Sequence, residues 1–497
     1  MPFSPSLTEL RDELRAIEDL ESACAVLEWD QSTYMPEGGA EGRARTLSLL
    51  AELAHLRLVS DRVADLLRAA GTFAERDDLD GALVRRARRK HDRAKRLPAA
   101  LVRESKQHSA ASYVAWTRAR PTGDFATMRP YLEKSLELSK RIADHHPEAS
   151  HVLDPFVDEQ DPGMTTATVA ELFAELRAAL VPLVERITSL PPVDDSILRR
   201  RVPAEKQLAF SREIAEALGY DPTRGRIDET HHPFMTRFHA GDVRITTRVR
   251  EDDPIDCLFS TIHEVGHALY ELGIDEELDG SPLGHGASAG IHESQSRLYE
   301  NFVARSLPFW RHVYPRMQAA FAPAFDDVPL EAFQRALRRV ERSLIRTEAD
   351  EVTYNLHVML RFDLEKALLE GALSVADLPE AWNARMESDL GVRPTSPREG
   401  VLQDVHWYCT TFGGTFQGYT LGNLFAAQCH ATARDAIPDL DERLARGDFA
   451  TLRRWLGDHV HRPGAVYDPA ALIERVSGRS LEIRPFLSHL EGEYIRL

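Results

Sequence analysis

Residues 258–273 read LFSTIHEVGHALYELG and place two histidines and a glutamate on an otherwise apolar segment. On a helix of about 100° per residue, the remaining apolar side chains fall within an arc of roughly 80°, the stripe that a buried helix needs. They are Leu258, Ile262, Val265, Leu269 and Leu272. His263, Glu264 and His267 occupy a different face. We therefore predict a core helix with a chemically active edge.

The polar residues of this helix match the pattern H-E-x-x-H. His263 and His267 lie one turn apart, so both imidazoles can bind one Zn²⁺. Glu264 is offset around the helix, where a base would stand to take a proton from water activated by the metal. The pattern also arises by chance in long chains. Its amphipathic placement favours a zinc hydrolase over coincidence.

A catalytic zinc needs a third protein ligand, which this helix does not supply. Glu271 lies about 12 Å along the axis from His263 and cannot join both histidines on one ion. A metzincin would have Gly at position 270 and His at 273, where this chain has Tyr270 and Gly273. The third ligand must therefore come from another element.

The helical stretch 291–302 holds the best candidate for that ligand, Glu293. His292 is a rival, although a hydrogen bond or a substrate contact is its commoner use. A simpler alternative makes Glu293 a first-turn carboxylate stabilised by the helix dipole.

Helical spacing of apolar residues dominates the rest of the chain, including 329–350 and 351–370. Residues 243–249 (VRITTRV) instead alternate apolar with polar, and they are rich in β-branched side chains. This pattern predicts a short half-buried strand just before the H-E-x-x-H helix. We predict a mostly α protein with one small β-sheet near the active site. The Pro- and Asp-rich stretch 146–163 marks a weak subdomain boundary.

Composition excludes several classes of partner. The 497 residues are 43% hydrophobic and 28% charged, as in soluble globular proteins. A net charge of −18 opposes binding to nucleic acid or anionic membranes, so the basic run 85–96 is interpreted as a solvated helix face. No apolar run is long enough to span a membrane, and no secretory signal is visible. Four scattered cysteines favour a reduced compartment, so we predict a cytoplasmic protein.

Several further motifs make the chain resemble the carboxypeptidase Taq family of HEXXH zinc metallocarboxypeptidases. They follow the family's order and span nearly the whole chain. The motifs are Leu27-Glu-Trp-Asp-Gln-Ser-Thr-Tyr-Met-Pro36, His232-Pro-Phe234, Asp242-Val-Arg-Ile-Thr246, His292-Glu-Ser-Gln295, Ile345-Arg-Thr-Glu-Ala-Asp350 and Gly400-Val-Leu-Gln-Asp-Val-His-Trp407.

The resemblance implies one metallocarboxypeptidase domain over residues 1–497, a single large helical fold with a deep substrate groove. It also implies a homodimer that removes C-terminal residues from peptides with broad specificity. One Zn²⁺ per chain is expected, with Co²⁺ or Mn²⁺ able to substitute. By motif, His263, His267 and Glu293 would bind the metal, and Glu264 would be the general base and acid.

A carboxypeptidase must recognise a free α-carboxylate, which calls for a cation, ideally a guanidinium. Arg346 is our candidate, because the resemblance places its motif at the groove. The structural alternative is an ion pair with Asp350, one turn away on the same helix. Arg244, in the predicted strand, is the rival cation.

The developing oxyanion needs a hydrogen-bond donor, for which Tyr419 and His406 are the candidates. His406 could equally be a buried, hydrogen-bonded histidine. His232 precedes a proline, which favours an extended turn, and we expect it only to line the groove. Two other classes stay open: a zinc endopeptidase or oligopeptidase of related helical fold, and a non-catalytic helical scaffold.

Overall fold

The computed structural model describes residues 5–495, most of which lie in helices. They form two compact units. The first unit comprises the chain up to Lys95, Asp194–Leu337 and Cys429–Arg479, and the second comprises Arg96–Val193, Arg338–Gln428 and the chain from Ser480. The stretch 146–163 lies inside the second unit. The single domain over 1–497 stays a prediction, as does the deep groove.

The helices follow one another along the chain, joined mainly by short turns. In chain order they are α1 (Pro5–Thr33), α2 (Ala40–Leu58), α3 (Asp61–Ala69), α4 (Leu79–Arg96), α5 (Ala99–Thr122), α6 (Phe125–Ala143), α7 (Asp154–Gln160), α8 (Thr166–Thr188), α9 (Ala204–Leu218), α10 (Pro254–Gly273), α11 (Ala289–Arg297), α12 (Leu307–Phe321), α13 (Leu330–Leu337), α14 (Tyr354–Glu370), α15 (Leu378–Leu390), α16 (His406–Cys409), α17 (Gln417–Ala436), α18 (Leu440–Ala445), α19 (Ala450–Leu456), α20 (Pro469–Ser477) and α21 (Arg484–Tyr494). The mostly α prediction is confirmed.

One small sheet lies in the first unit, between α9 and α10. Its strands are β1 (Ile227–Glu229), β2 (Met235–His239) and β3 (Asp242–Thr247). The central strand β3 pairs in parallel with β1 and antiparallel with β2. Val243 and Ile245 are fully buried whereas Arg244 is half-buried, as the predicted alternation requires, but Thr246 and Thr247 are both buried, so the alternation ends at Ile245.

The H-E-x-x-H helix α10 begins with a strong N-cap. The side chain of Asp253 accepts a hydrogen bond from the backbone N–H of Asp256, and a proline occupies the first turn. Four of the five predicted stripe residues are buried, and Leu272 is half-buried. Thr261 on this helix donates to the Thr247 hydroxyl of β3 at 2.9 Å. The sheet therefore contacts the active helix, as predicted.

Helix α11 approaches α10 unusually closely at Gly266, inside the HEVGH motif. A Cβ at this position would lie 2.5 Å from the carbonyl oxygen of Gln295 and 2.6 Å from the Cα of Ser296. Only glycine allows this approach, because both atoms belong to the backbone. The contact brings the Glu293 turn against the motif. After Arg297 the helix continues as a π-helical turn, Leu298–Val303.

The helix predicted over 329–350 is wrong beyond Leu337. Residues 338–353 are irregular apart from a 3₁₀ turn at Arg346–Glu348. The side chain of Gln403 explains this local structure: its Nε2 donates to the Leu344 carbonyl at 3.0 Å, and its Oε1 accepts from the Arg346 N–H at 2.9 Å. A distant side chain thus satisfies backbone groups that a helix would otherwise pair. The helix predicted over 351–370 is confirmed as α14.

The basic run 85–96 lies on α4, and several of its cations contact neighbouring protein groups. Lys90 forms ion pairs with Glu18 and Glu21, at 2.9 and 2.6 Å. Arg88 donates to the Leu67 carbonyl at 3.1 Å. The run therefore has a structural role, but most of its cations are half-buried against the protein rather than solvated as predicted. Within residues 5–495, no helix has the length and apolar character needed to cross a bilayer.

Candidate metal centre

Two histidines of α10 and one glutamate of α11 converge on a common point. The Nε2 atoms of His263 and His267 lie 3.7 and 3.4 Å from Oε2 of Glu293. One donor atom from each of the three residues lies within 4.8 Å of the other two. Two imidazole nitrogens and a carboxylate oxygen are a donor set of catalytic zinc sites. The side chains that the sequence assigns to the metal therefore fit a single ion.

Glu293 is held so that one carboxylate oxygen faces the histidines. Its Oε1 accepts from Nε of Arg297 at 2.7 Å, and its Oε2 accepts from the Ser296 hydroxyl at 3.1 Å. Burial works to raise the pKa of Glu293, but the charges of Arg297 and His263 outweigh it and keep that pKa well below the usual range. The carboxylate is therefore ionised and available to a cation.

The two histidines differ in their outer partners. Nδ1 of His263 donates to Oε2 of Glu300 at 2.8 Å, whereas Nδ1 of His267 lies 2.6 Å from Nδ1 of His292. Burial lowers the pKa of His267 to about 4. Burial also disfavours the charge on His263, but Glu293 and Glu300 prevail and raise the pKa of His263 to about 9.

Glu264 lies on the buried edge of the same motif and is 6% exposed. Burial raises its pKa to about 7, with nearby carboxylates and histidines acting in opposite directions. A carboxyl group whose pKa lies close to neutrality can both accept and return a proton, which suits a general base and acid.

The rival ligand His292 lies outside the converging set. Its ring bridges two side chains, contacting His267 through Nδ1 and Oε1 of Glu271 through Nε2, at 2.9 Å. His292 therefore forms hydrogen bonds, which is one of the two commoner uses expected for it from the sequence. Glu271, excluded as a ligand by its distance, is instead the far end of this chain of contacts.

Glu300 is a site residue that the sequence analysis missed. It lies on the π-helical turn after α11 and accepts hydrogen bonds from His263 and, at 3.1 Å, from Nη1 of Arg297. Glu300 follows Glu293 by seven positions, about two helical turns, a spacing that places both on one helix face. That spacing could have identified Glu300 as a second carboxylate facing the metal-site histidines. π-helical turns are frequent at functional sites.

In the second unit, Arg346 pairs with a carboxylate that the sequence did not suggest. Its Nη2 lies 2.7 Å from Oδ1 of Asp404, and its Nη1 donates to the Tyr354 hydroxyl at 3.0 Å. The proposed ion pair with Asp350 is absent, because residues 345–350 are not an α-helix. Asp350 instead accepts from the backbone N–H groups of Val352 and Thr353, both at 3.0 Å.

Two other substrate-binding candidates lie beside Arg346. The guanidinium carbon of Arg346 is 5.1 Å from the centre of the Tyr419 ring. The Tyr419 hydroxyl is 3.4 Å from Nε2 of His406. His406 keeps 24% of its side chain exposed, so it is not the fully buried histidine of the alternative interpretation. The structure thus groups three of the five sequence-predicted substrate contacts.

The remaining two candidates lie in the first unit. Arg244 forms a two-point ion pair with Asp242, at 2.8 and 2.7 Å, and its guanidinium lies 4.4 Å from the Trp29 ring centre and 4.8 Å from that of Phe238. This guanidinium therefore already pairs with one carboxylate and contacts two aromatic rings. His232 lies exposed in the bend between β1 and β2.

Comparisons with known proteins agree over almost the full chain. Residues 9–494 match the family model described as carboxypeptidase Taq (M32) metallopeptidase. The chain is 43% identical to thermostable carboxypeptidase 1 of Thermus thermophilus, covering 96% of each protein, and 38% identical to carboxypeptidase 1 of Bacillus subtilis, covering 98% of each. The solved M32 carboxypeptidase of Deinococcus radiodurans superimposes with a TM-score of 0.96 at 48% identity, over 99% of each chain.

Proposed function

Because this chain belongs to the carboxypeptidase Taq (M32) metallopeptidase family, we propose that it removes C-terminal residues from peptides with broad specificity. Family membership makes it a metallocarboxypeptidase, a peptide hydrolase. Our proposal adds the metal, the range of substrates and the roles of individual residues.

One observation carries the proposal. The Nε2 atoms of His263 and His267 approach the same oxygen of Glu293, and Glu264 follows His263 directly on the helix. Three ligands with an adjacent carboxyl group form the arrangement that metal-assisted hydrolysis requires. The donor chemistry favours Zn²⁺, one per chain, with Co²⁺ or Mn²⁺ able to substitute.

In the proposed mechanism, Glu264 moves the protons. A bound Zn²⁺ would polarise the scissile carbonyl and lower the pKa of water at the site. Glu264 accepts a proton from the attacking water and then gives it to the leaving amine nitrogen. Tyr419 and His406 are proposed donors to the developing oxyanion, and Arg346 is proposed to bind the terminal carboxylate. His232 is assigned to lining the substrate path only.

Mass spectrometry of a peptide ladder tests the reaction. Purified protein with Zn²⁺ or Co²⁺ should shorten unmodified peptides one residue at a time from the C-terminus, and it should leave C-terminally amidated copies largely intact. Sequential loss from peptides with different terminal residues would support broad specificity. Internal cleavage of amidated peptides would instead identify an endopeptidase. A protein that binds no metal and cleaves neither set would favour the non-catalytic scaffold.

A homodimer and a cytoplasmic location remain proposals. All four cysteines are free, which agrees with a reducing compartment. Helix α2 presents a stripe of exposed leucines, with Leu49, Leu53 and Leu56 between 45% and 56% exposed. Apolar stripes of this kind suit a symmetric contact between two copies. Light scattering of the purified protein, giving the molar mass in solution, tests the dimer.

A further inference from the structure

A chain of hydrogen bonds leads away from the proposed metal ligand His267. Its Nδ1 lies 2.6 Å from Nδ1 of His292, and Nε2 of His292 lies 2.9 Å from Oε1 of Glu271. The other proposed histidine ligand, His263, contacts the carboxylate of Glu300 directly at 2.8 Å. Each proposed ligand is therefore connected to a carboxylate. His263 contacts Glu300 directly, whereas the imidazole of His292 lies between His267 and Glu271.

The carboxylate of Glu271, at the end of this series of hydrogen bonds, determines which ring nitrogens of His292 and His267 carry a proton. Burial works to raise the pKa of Glu271, but the hydrogen bond and charge of His292 hold it below its usual range, so Glu271 is ionised and can only accept. His292 must then donate from Nε2, which leaves its Nδ1 free to accept from Nδ1–H of His267. As a result, Nε2 of His267 carries a lone pair on the side of Glu293.

The opposite arrangement would prevent metal binding. Without an acceptor at its Nε2, His292 could carry its proton on Nδ1 and donate to His267. Nδ1 of His267 would then accept, its own proton would lie on Nε2, and no lone pair would face Glu293. Glu271 would thus select the tautomer of His267 through the ring of His292.

Surrounding residues hold the hydrogen-bonded series of His267, His292 and Glu271 in place. Oε1 of Glu271 also accepts from the backbone N–H of Gly286 at 3.0 Å, and Oε2 lies 3.2 Å from Nε of Arg237. A Cβ at Gly286 would lie 2.7 Å from Cδ2 of His292, so glycine is required for the loop to approach the ring. The Tyr270 ring lies 5.3 Å from that of His292. Such outer contacts orient ligand histidines in metal sites generally.

We propose that His292 and Glu271 are positioning residues that act in series on His267, while Glu300 acts separately on His263. The inference rests on the proposed metal site. It goes beyond that site by assigning roles to three residues that would not touch the metal.

A double-mutant cycle tests the serial arrangement, with the affinity for Co²⁺ measured by competition against a chelator. His292→Phe should raise the Kd for Co²⁺ by about 10- to 100-fold, the usual effect of losing such a partner. Glu271→Gln should raise it by a smaller factor. The double variant should bind no more weakly than His292→Phe alone, because Glu271 has no other route to the metal.

Glu300→Gln provides the matched control, since it alters the other ligand. Its effect should multiply with that of His292→Phe, because the two act through different histidines. The visible absorption spectrum of bound Co²⁺ gives a second readout, which should change in all three single variants. His292→Asn should restore part of the affinity lost in His292→Phe, since an amide oxygen can replace Nδ1 as the acceptor. In that background, Glu271→Gln should have little further effect.

Three results would overturn the proposal. One is an unchanged Kd and spectrum in His292→Phe, and another is an equal loss of affinity on Glu271→Gln in the presence and absence of His292. A wild-type protein that binds no Co²⁺ would overturn the proposed function together with this inference. Far-UV circular dichroism checks the fold of each variant. If His292→Phe does not fold, the double-mutant cycle is measured with the near-isosteric substitutions His292→Asn and Glu271→Gln instead.

Discussion

Arg346 and Asp404 form a buried ion pair in which Nη2 lies 2.7 Å from Oδ1, with side chains that are 7% and 9% exposed. The same carboxylate also pairs with Arg361, whose side chain is fully buried. Two guanidiniums thus share one carboxylate, and the group carries a net charge of about +1. This excess positive charge beside the Tyr419 ring can attract the terminal carboxylate of a peptide. Arg244 is paired with the carboxylate of Asp242, so that pair has no excess positive charge and attracts an anion less strongly.

The first prediction concerns this recognition. Arg346→Ala and C-terminal amidation of the peptide remove the same contact from opposite sides. A charge-assisted contact of about 1.5–3 kcal/mol implies that each change alone lowers kcat/KM by roughly 10- to 100-fold. Both changes together should cost little more than one, because the contact can be lost only once.

Steady-state kinetics on free and amidated versions of one peptide measure this cycle. An Arg346→Ala enzyme that still strongly prefers free ends would move the role to another cation. A wild-type enzyme that cleaves amidated peptides equally well would contradict the carboxypeptidase mechanism itself.

The second prediction concerns the proposed metal ligands. His263→Ala, His267→Ala and Glu293→Ala should each lose bound metal and activity, because two remaining donors bind zinc weakly. Helical content should be retained, as measured by circular dichroism. Full metal occupancy in the Glu293 variant, measured by elemental analysis, would remove Glu293 from the ligand set.

The third prediction separates catalysis from ligation. Glu264→Gln preserves the shape of the side chain but removes the proton acceptor. Metal should stay bound while kcat falls by at least about 10²-fold. Elemental analysis and kinetics on the same preparation provide the test. Substantial activity in this variant would show that another group takes the proton.

The fourth prediction concerns the approach of α11 to α10. Gly266→Ala adds a methyl group 2.5 Å from the Gln295 carbonyl oxygen, so α11 must move away. We expect a loss of about 1–3 kcal/mol of stability, with weaker metal binding because Glu293 moves too. Gly42→Ala in α2 is the matched control, since nothing lies within 4 Å of its Cβ. It should leave the metal affinity unchanged and stabilise slightly. Equal thermal stability and metal affinity in both variants would refute this packing argument.

The fifth prediction uses the buried carboxyl group of Glu365, which accepts from Nε1 of Trp407 at 2.8 Å. Burial raises the pKa of Glu365 from 4.5 to about 8. Because the folded-state pKa exceeds the unfolded-state value, the free energy of unfolding is highest below pH 4.5. It falls as the pH rises from 4.5 and has lost this contribution once the pH passes 8. The loss is about 1.4 kcal/mol per pH unit and at most about 5 kcal/mol.

Glu365→Gln removes this titration while keeping an acceptor for Trp407. Its Tm should therefore exceed the wild-type Tm at pH 8.5 and differ little at pH 5. The same change at the exposed Glu380 should leave the pH dependence as it is. A constant difference in Tm between the Glu365 variant and the wild type at both pH values would contradict the raised pKa.

Much of the fold and the centre of the site could be predicted from the sequence, because the responsible interactions are local. The proposed ligands His263 and His267 are four residues apart on one helix, so helical geometry alone places them together. The alternation along β3 predicted the buried Val243 and Ile245 for the same reason. Glu293 required only the inference that a nearby helix packs against the first.

The tertiary structure decided the contacts that join residues distant in the chain. Asp404 pairs with Arg346 from 58 positions away, and Gln403 replaces the helical hydrogen bonds predicted around Leu344. Periodicity cannot reveal such partners, since it reports which face of a segment is apolar and not which side chain will meet it. The sequence by itself determined the residue types, the helix that carries two proposed metal ligands, and the mostly α class. Packing decided which carboxylate each histidine and arginine meets, because those distances depend on how separate segments fold together.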